Sequence, residues 1–249
     1  MTIPKGIRMP PASFWEAMHW EPSPEQIEQF FALQKLLNHF NAKFNLTKLI
    51  KGEDYWIGQV FDSLWPLQQE LKNPQKLRNC IDVGSGCGFP GLAVAISLPG
   101  TRVTLLDATS KKTTVLKKIT SELGLTSQIN ILTERIEITG HNVTYRGQFD
   151  LAMARAVADA PVTAEYLLPL LKKNGEAFLY RGKWSQVDEK NLLQALVILN
   201  GKLKKVQKLS LPSNRGERHL IRLTTKSSCP NIYPRPIGVP TKKPLGVKR

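Results

Sequence analysis

Asp82 stands two residues before Gly84, and glycine then recurs at every second position through Gly86 and Gly88, ahead of Phe89-Pro90-Gly91. Glycines this dense remove Cβ atoms where a backbone must turn sharply and approach a ligand closely. The apolar stretch 92–98 reads as a helix whose free N–H groups would point at the loop's contents. Asp107 follows about twenty residues on, at the end of a second apolar run, where a carboxylate can hold ribose hydroxyls. Gly86 to Gly91 fits the G-x-G-x-x-G pattern of dinucleotide binders, so the loop alone leaves NAD(P) open. Asp82 favours a different nucleoside. A carboxylate beneath the loop repels pyrophosphate but suits a ligand carrying an ammonium and a sulfonium, which describes S-adenosylmethionine (SAM). No G-x-x-x-x-G-K-[ST] is present, which argues against a P-loop nucleotidase.

Positioning such a loop takes a sheet, and the chain supplies one. Apolar runs at 80–83, 102–107, 128–133, 149–153 and 176–180 read as strands, with helices over 111–123, 162–171 and 186–199. Alternation of this kind predicts a mostly parallel sheet covered on both faces. The helix at 162–171 is expected to stop at Lys172-Lys173-Asn174-Gly175. Two last strands, 203–209 and 219–223, are joined too closely for a helical crossover, so they should form an antiparallel hairpin. The expected fold class is α/β: Rossmann-like, with a seven-stranded sheet ending in that hairpin, plus a small N-terminal helical region.

Four segments are expected: an extension over 1–22, a helical region over 23–76, the nucleoside-binding domain over 77–224, and a basic proline-rich tail over 225–249. Ser23, Pro24 and Gln26 form a helix start, with Ser23 as cap and Gln26 closing a capping box. The helices of 23–76 have too little apolar surface to stand alone, so they should pack on the next domain. Phe30, Phe31 and Phe40 fall on their core face. The formal net charge of +15 points to nucleic acid as a partner. Three cysteines, scattered and odd in number, suggest neither a disulfide framework nor a metal site, and a cytoplasmic setting is expected. No apolar run approaches the ~20 residues of a membrane span. The tail carries five prolines and six Lys or Arg without an acidic residue. It is expected to lack a core, and either to be a disordered solubilising segment or to lie along phosphates.

Several segments resemble, in order, the ribosomal RNA small-subunit methyltransferase G family, also called the glucose-inhibited division protein B family. They are Asn45-Leu46-Thr47, Asp62-Ser63-Leu64, the glycine loop, Leu105-Leu106-Asp107, Arg135-Ile136-Glu137, Ala154-Arg155-Ala156, Gly216-Glu217-Arg218-His219-Leu220 and the tail from Tyr233-Pro234-Arg235 to Lys243-Pro244-Leu245. The resemblance implies a class I SAM-dependent enzyme, expected as a monomer, that methylates N7 of a guanine in 16S ribosomal RNA, free or in a precursor of the small ribosomal subunit. It implies cofactor contacts at Asp82, Gly84, Gly86, Gly88 and Phe89, ribose contacts at Asp107 with Ala108 and Thr109, and Ile136 and Glu137 beside the adenine. Arg155 would position the methionine end or the incoming base. RNA would meet Arg181, Arg218, Arg235, Lys242, Lys243, Lys248 and Arg249. Departures are Gln59, where the family usually has histidine, Arg181 in place of lysine, and Cys87 in place of proline or alanine.

Guanine N7 offers a free lone pair, so methyl transfer to it needs no general base, only alignment. The chain agrees: it lacks the Asn/Asp-Pro-Pro-Tyr of adenine-N6 enzymes, and Cys87 in the loop reads as a small filler rather than an attacking thiol. Arg155 could instead be a strand-end arginine paired with Asp150 or Glu137. His219 is expected to hydrogen-bond within the hairpin. Two other functions stay on the table: an NAD(P)-dependent oxidoreductase, and a non-catalytic RNA-binding assembly factor on the same fold.

Overall fold

A computed structural model describes residue 10 and residues 12–247. Lys248 and Arg249, and residues 1–9 and 11 of the extension, lie outside the described residues. Seven strands make one sheet: β1 (Arg78–Val83), β2 (Thr101–Asp107), β3 (Ile129–Thr133), β4 (Phe149–Arg155), β5 (Leu171–Arg181), β6 (Gly201–Ser210) and β7 (Glu217–Thr225). Their order is β3-β2-β1-β4-β5-β7-β6, with the first five parallel and β7 antiparallel to both β5 and β6. Chain order reverses between β1 and β4. At such a switch point the loops leave the two strands in opposite directions and open a crevice at their carboxyl ends.

Side chains alternate across the sheet with the period of a strand. Cys80, Leu151, Met153, Phe178 and Tyr180 face one apolar cluster; Ile81, Val83, Ala152, Ala154, Ala177 and Leu179 face the other. On the first side lie α1 (Ala12–Ala17), α2 (Pro24–Phe44), α3 (Gly52–Tyr55), α4 (Asp62–Leu64), α5 (Gln68–Leu71), α6 (Gly91–Ser97) and α7 (Ser110–Glu122). Helix α2 begins with the capping box of Ser23 and Gln26, and Phe30 and Phe31 are buried. Between α3 and α4 the helix widens into a π turn, Trp56–Phe61. The sheet's second face carries α8 (Ile136–Thr139), α9 (Ala160–Leu167) and α10 (Gln186–Ile198). Last comes α11 (Val239–Lys242).

Three expectations need correction. The helix before β5 stops at Leu167, because Leu168–Leu170 tightens into a 3-10 turn around Pro169, whose ring cannot continue an α-helix. Residues 172–175 then belong to β5, where its register shifts against β4. A Cβ on Gly175 would lie 2.7 Å from the Phe149 carbonyl oxygen, so this glycine permits close strand approach rather than ending a helix. The segment before Ser23 is also more than an extension: Phe14 and Met18 are buried, and Phe14 meets Trp15, Trp56 and Phe61 edge to face.

The third correction concerns the tail, which packs against the fold instead of lacking a place in it. Cys229 and Tyr233 are buried in the second cluster. Arg146 donates to the carbonyls of Gly140, Cys229, Pro230 and Tyr233 at 2.7–3.1 Å. Low apolar content does not prevent docking when backbone carbonyls supply the contacts.

Candidate functional site

Two adjoining cavities open where β1, β2 and β4 end. The larger, about 770 Å³, is lined by Thr47, Gln59, Asp62, the glycine loop, Phe89, Arg155, Tyr180 and Arg218, among others. The smaller, about 330 Å³, is lined by Asp107, Ala108, Thr109, Arg135, Ile136, Val157, Tyr166 and Thr241, among others. Gly84, Lys112 and Ala156 belong to both walls, so the cavities share a boundary at the switch point.

The boundary is built from tight backbone. Gly84 has φ +72°, and a Cβ there would lie 2.7 Å from a Val157 methyl, so any side chain would jam the loops after β1 and β4 together. Ala156, at φ +56°, takes a conformation that non-glycine residues rarely adopt, as happens where a turn must aim residues into a cleft. Gly88 plays a different part from the one the sequence suggests. It lines neither cavity, and a Cβ would sit 2.2 Å from Leu92, so it lets the loop press onto its own helix.

Asp107 organises the smaller cavity. One carboxylate oxygen accepts from Thr109 N at 2.8 Å and the other from Gly86 N at 2.9 Å, with Lys112 at 3.9 Å. Each oxygen keeps a further lone pair for a hydroxyl. Asp82 is fully buried beneath the loop and lines neither cavity. One of its oxygens accepts from Gly91 N at 2.8 Å; the other has no hydrogen-bond partner among the described residues. Burial raises its pKa to about 7, against the pull of the Gly91 hydrogen bond and of Arg155. A buried carboxylate with an oxygen to spare, under a loop whose turns at Gly84 and Gly88 require glycine, and the open lone pairs of Asp107 fit a cationic nucleoside. SAM is therefore compatible with these residues.

Glu137 departs from its expected place. Ile136 lines the smaller cavity, but Glu137 does not. Its carboxylate turns inward to Arg135, Tyr166 Oη and Gly238 N at 3.1–3.2 Å. Burial would raise its pKa, yet backbone N–H groups of Glu137 and Gly238 and the Arg135 guanidinium together hold it below the usual value.

Arg155 leaves the end of β4 into the larger cavity. Its partners are neither Asp150 nor Glu137. It donates to Gly58 O at 3.0 Å, to Asp62 at 3.3 Å and to Gln59 Oε1, and it lies 5.8 Å from the Phe89 ring centre. All three acceptors come from the π turn and the residue after it, so that widening aims a whole row of acceptors at one guanidinium. Gln59, at 1% exposure, uses its other end to reach Thr47 Oγ1 at 3.1 Å and Cys87 Sγ at 3.7 Å. Burial raises the pKa of Cys87, which keeps it a thiol. On the far side of Asp62 sits Arg218 Nε at 3.3 Å.

The larger cavity is strongly basic: Lys112, Arg155, Arg181, Lys183 and Arg218 line it against one carboxylate, Asp62. Such a wall draws an anionic partner. Arg181 also donates to Ala158 O at 2.5 Å. His219 Nδ1 donates to Gly182 O, 2.7 Å away, which ties β7 to the end of β5. Arg235 is not a free cation, since Glu165 holds it through four contacts of 2.7–3.2 Å. Lys242 and Lys243 are exposed on the docked tail.

Sequence reasoning did not assign Asp62, Thr47, Lys112 or Thr241 to the site. Asp62 and Thr47 fall in segments whose only sequence signal is the family resemblance, and Gln59 is a departure from that family's pattern. Thr241 falls within the family-like tail, and Lys112 carries no local signal. Among the described residues, no helix is long and apolar enough to cross a membrane.

Comparison with known proteins agrees with this geometry. A family profile described as rRNA small subunit methyltransferase G matches residues 26–221. A protein of that name from Prochlorococcus marinus (strain MIT 9313) is 57% identical, covering 95% of this chain and 96% of its own. Another from Parasynechococcus marenigrum (strain WH8102) is 56% identical, covering 96% of each. The fold resembles a crystal structure of an O-methyltransferase from Bacillus cereus in complex with SAH, at TM-score 0.55 and 17% identity, over 78% of this chain and 90% of that one. With a profile match across most of its length and relatives this close, the chain belongs to the rRNA small subunit methyltransferase G family.

Proposed function

We propose that the protein methylates N7 of a guanine in 16S ribosomal RNA, with SAM in the smaller cavity and the base in the larger. SAM supplies a methyl group on a sulfonium, an electrophile that a ring nitrogen can attack directly. Asp107 would hold the ribose, Ile136 the adenine, and Gly84 the loop side of the nucleoside, with Phe89 facing the larger cavity beside it. Asp82 would brace the loop from below through Gly91 N. Arg155, already anchored by Gly58, Gln59 and Asp62, would keep the boundary between the cavities in register rather than move a proton. Arg181, Lys183 and Arg218 would meet the RNA. Small-subunit ribosomal RNA as substrate implies work in the cytoplasm.

The observation that carries this reading is the shared wall at Gly84 and Ala156: a nucleoside site that opens directly onto a basic cavity. The test is incubation with labelled methyl donor and unmodified small-subunit RNA or particles, followed by mapping of the modified base. Label at guanine N7 of one position is the expected outcome. SAH binding without methyl incorporation would favour a non-catalytic assembly factor. A thermal shift with NADH but not with SAH would favour an oxidoreductase.

A further inference from the structure

The tail reaches the nucleoside cavity. Thr241, on α11, lines its wall beside Ile136 and Arg135. What holds α11 there is Glu137: its carboxylate accepts from Gly238 N at 3.1 Å, the residue before the helix, while also meeting Arg135 and Tyr166. Glu137 itself belongs to α8, the short helix that supplies Ile136 to the same cavity. Further back, the segment leading to α11 is fixed by the Glu165–Arg235 pair and by His141, whose Nε2 lies 2.6 Å from Pro234 O. Cavity wall and tail therefore share one set of anchors.

We propose that residues 238–243 are a cofactor-binding element, closing the outer side of the nucleoside cavity. This deepens the reading that SAM occupies that cavity, and rests on it. The Thr241 hydroxyl already donates its proton to Gly238 O at 3.0 Å, so the residue offers contact, exclusion of water and at most an acceptor lone pair. Proline at Pro240 and Pro244 limits how far the segment can stray in the unfolded chain, which lowers the cost of ordering it against a ligand. The proposal also changes what a basic tail is for. Its lysines Lys242 and Lys243 stand on an element that borders the cofactor, so phosphate contact there and nucleoside affinity would be linked rather than independent.

Calorimetric titration of the full-length protein with SAH separates the possibilities without relying on turnover. Deletion of residues 238–249 leaves the anchors at Arg235, Tyr233 and Cys229 in place, and should weaken SAH binding by about 10-fold or more. Thr241→Trp fills the cavity from an exposed position, so it should leave folding intact and weaken SAH by a similar factor. Thr241→Ala should cost only a few-fold. In hydrogen exchange, SAH should slow the Gly238 amide and the amides of α8 together. Two variants that bind SAH as the wild type does would overturn the tail proposal while leaving SAM binding intact. A wild-type protein that fails to bind SAH would sink both readings at once.

Discussion

The two ends of this chain both dock on the sheet domain, yet they do so by opposite physics. Residues 12–71 attach through buried rings: Phe14, Phe30, Phe31, Tyr55, Trp56 and Phe61 form one contiguous edge-to-face cluster against the sheet. Residues 226–247 attach through charge and carbonyls: Arg146 into four backbone oxygens, Arg235 into Glu165, Gly238 N into Glu137. Each end completes a different cavity. The aromatic end brings Thr47, Gln59 and Asp62 to the larger, basic cavity, and the polar end brings Thr241 to the smaller one. Apolar packing tolerates changes in salt and pH, whereas paired charges in a dry site do not tolerate losing one partner.

The largest effect should come from the aromatic end. Phe30→Ala removes a ring with no exposed surface, which should cost about 3–5 kcal/mol of stability in denaturant titration. At the polar end, Glu165→Ala strands Arg235 and should cost about 2–3 kcal/mol, less than a fully dry pair because the Arg235 side chain keeps 21% exposure. The comparison breaks if the two variants respond alike to added guanidinium and to SAH. SAH should recover stability in Glu165→Ala only in part, since the cavity wall is loosened, and should recover Phe30→Ala in full proportion to its concentration.

Next in size is the cofactor contact itself. Asp107→Ala should raise the SAH dissociation constant at least ~10-fold, about 1.4 kcal/mol, because it would remove the proposed ribose acceptor along with the hold on Gly86 N. Gln59→Leu should act on the other cavity. It frees one end of Arg155 and the Thr47 hydroxyl, so methyl incorporation into RNA should fall about 10-fold while SAH affinity stays within a factor of two. Equal loss of SAH affinity in both variants would mean the cavities are not separately built.

How much of this could be read from residue order follows the same divide. The glycine loop, Asp107 and the terminal hairpin are local patterns, and the aromatic face of α2 repeats at helical spacing. Polar docking leaves no such trace. Arg146 binds four carbonyls, and a carbonyl belongs to every residue. Arg155 finds Asp62 and Gln59 more than ninety positions away, on a π turn that no periodicity announces. Gly175 shows the hazard of local punctuation: a glycine after two lysines resembles a helix stop, yet its role is set by a neighbouring strand's carbonyl. Prolines hid the docked tail for a related reason, since they forbid long helices and central strands but not a chain held by its own oxygens.

Acidity separates the docked tail from the glycine loop, because two carboxylates pull in opposite directions with pH. Glu137 has a lowered pKa in the fold, so its contribution is present above about pH 4.5 and fades as pH falls through its folded value. Exchange at the Gly238 amide should therefore quicken in acid before α2 is affected. Asp82 behaves the other way. Its folded pKa is raised to about 7, so the folded protein keeps a proton that the unfolded chain releases near pH 4. Stability from this residue is present below about pH 4 and declines as pH rises to about 7, with a slope of at most about 1.4 kcal/mol per pH unit. Asp82→Asn retains an acceptor for Gly91 N and should flatten the decline between pH 5 and 7, leaving the acid loosening of the tail unchanged. If the variant removed the acid response as well, the tail and the loop would be one titrating unit, and the polar end could not be treated as docking independently of the loop.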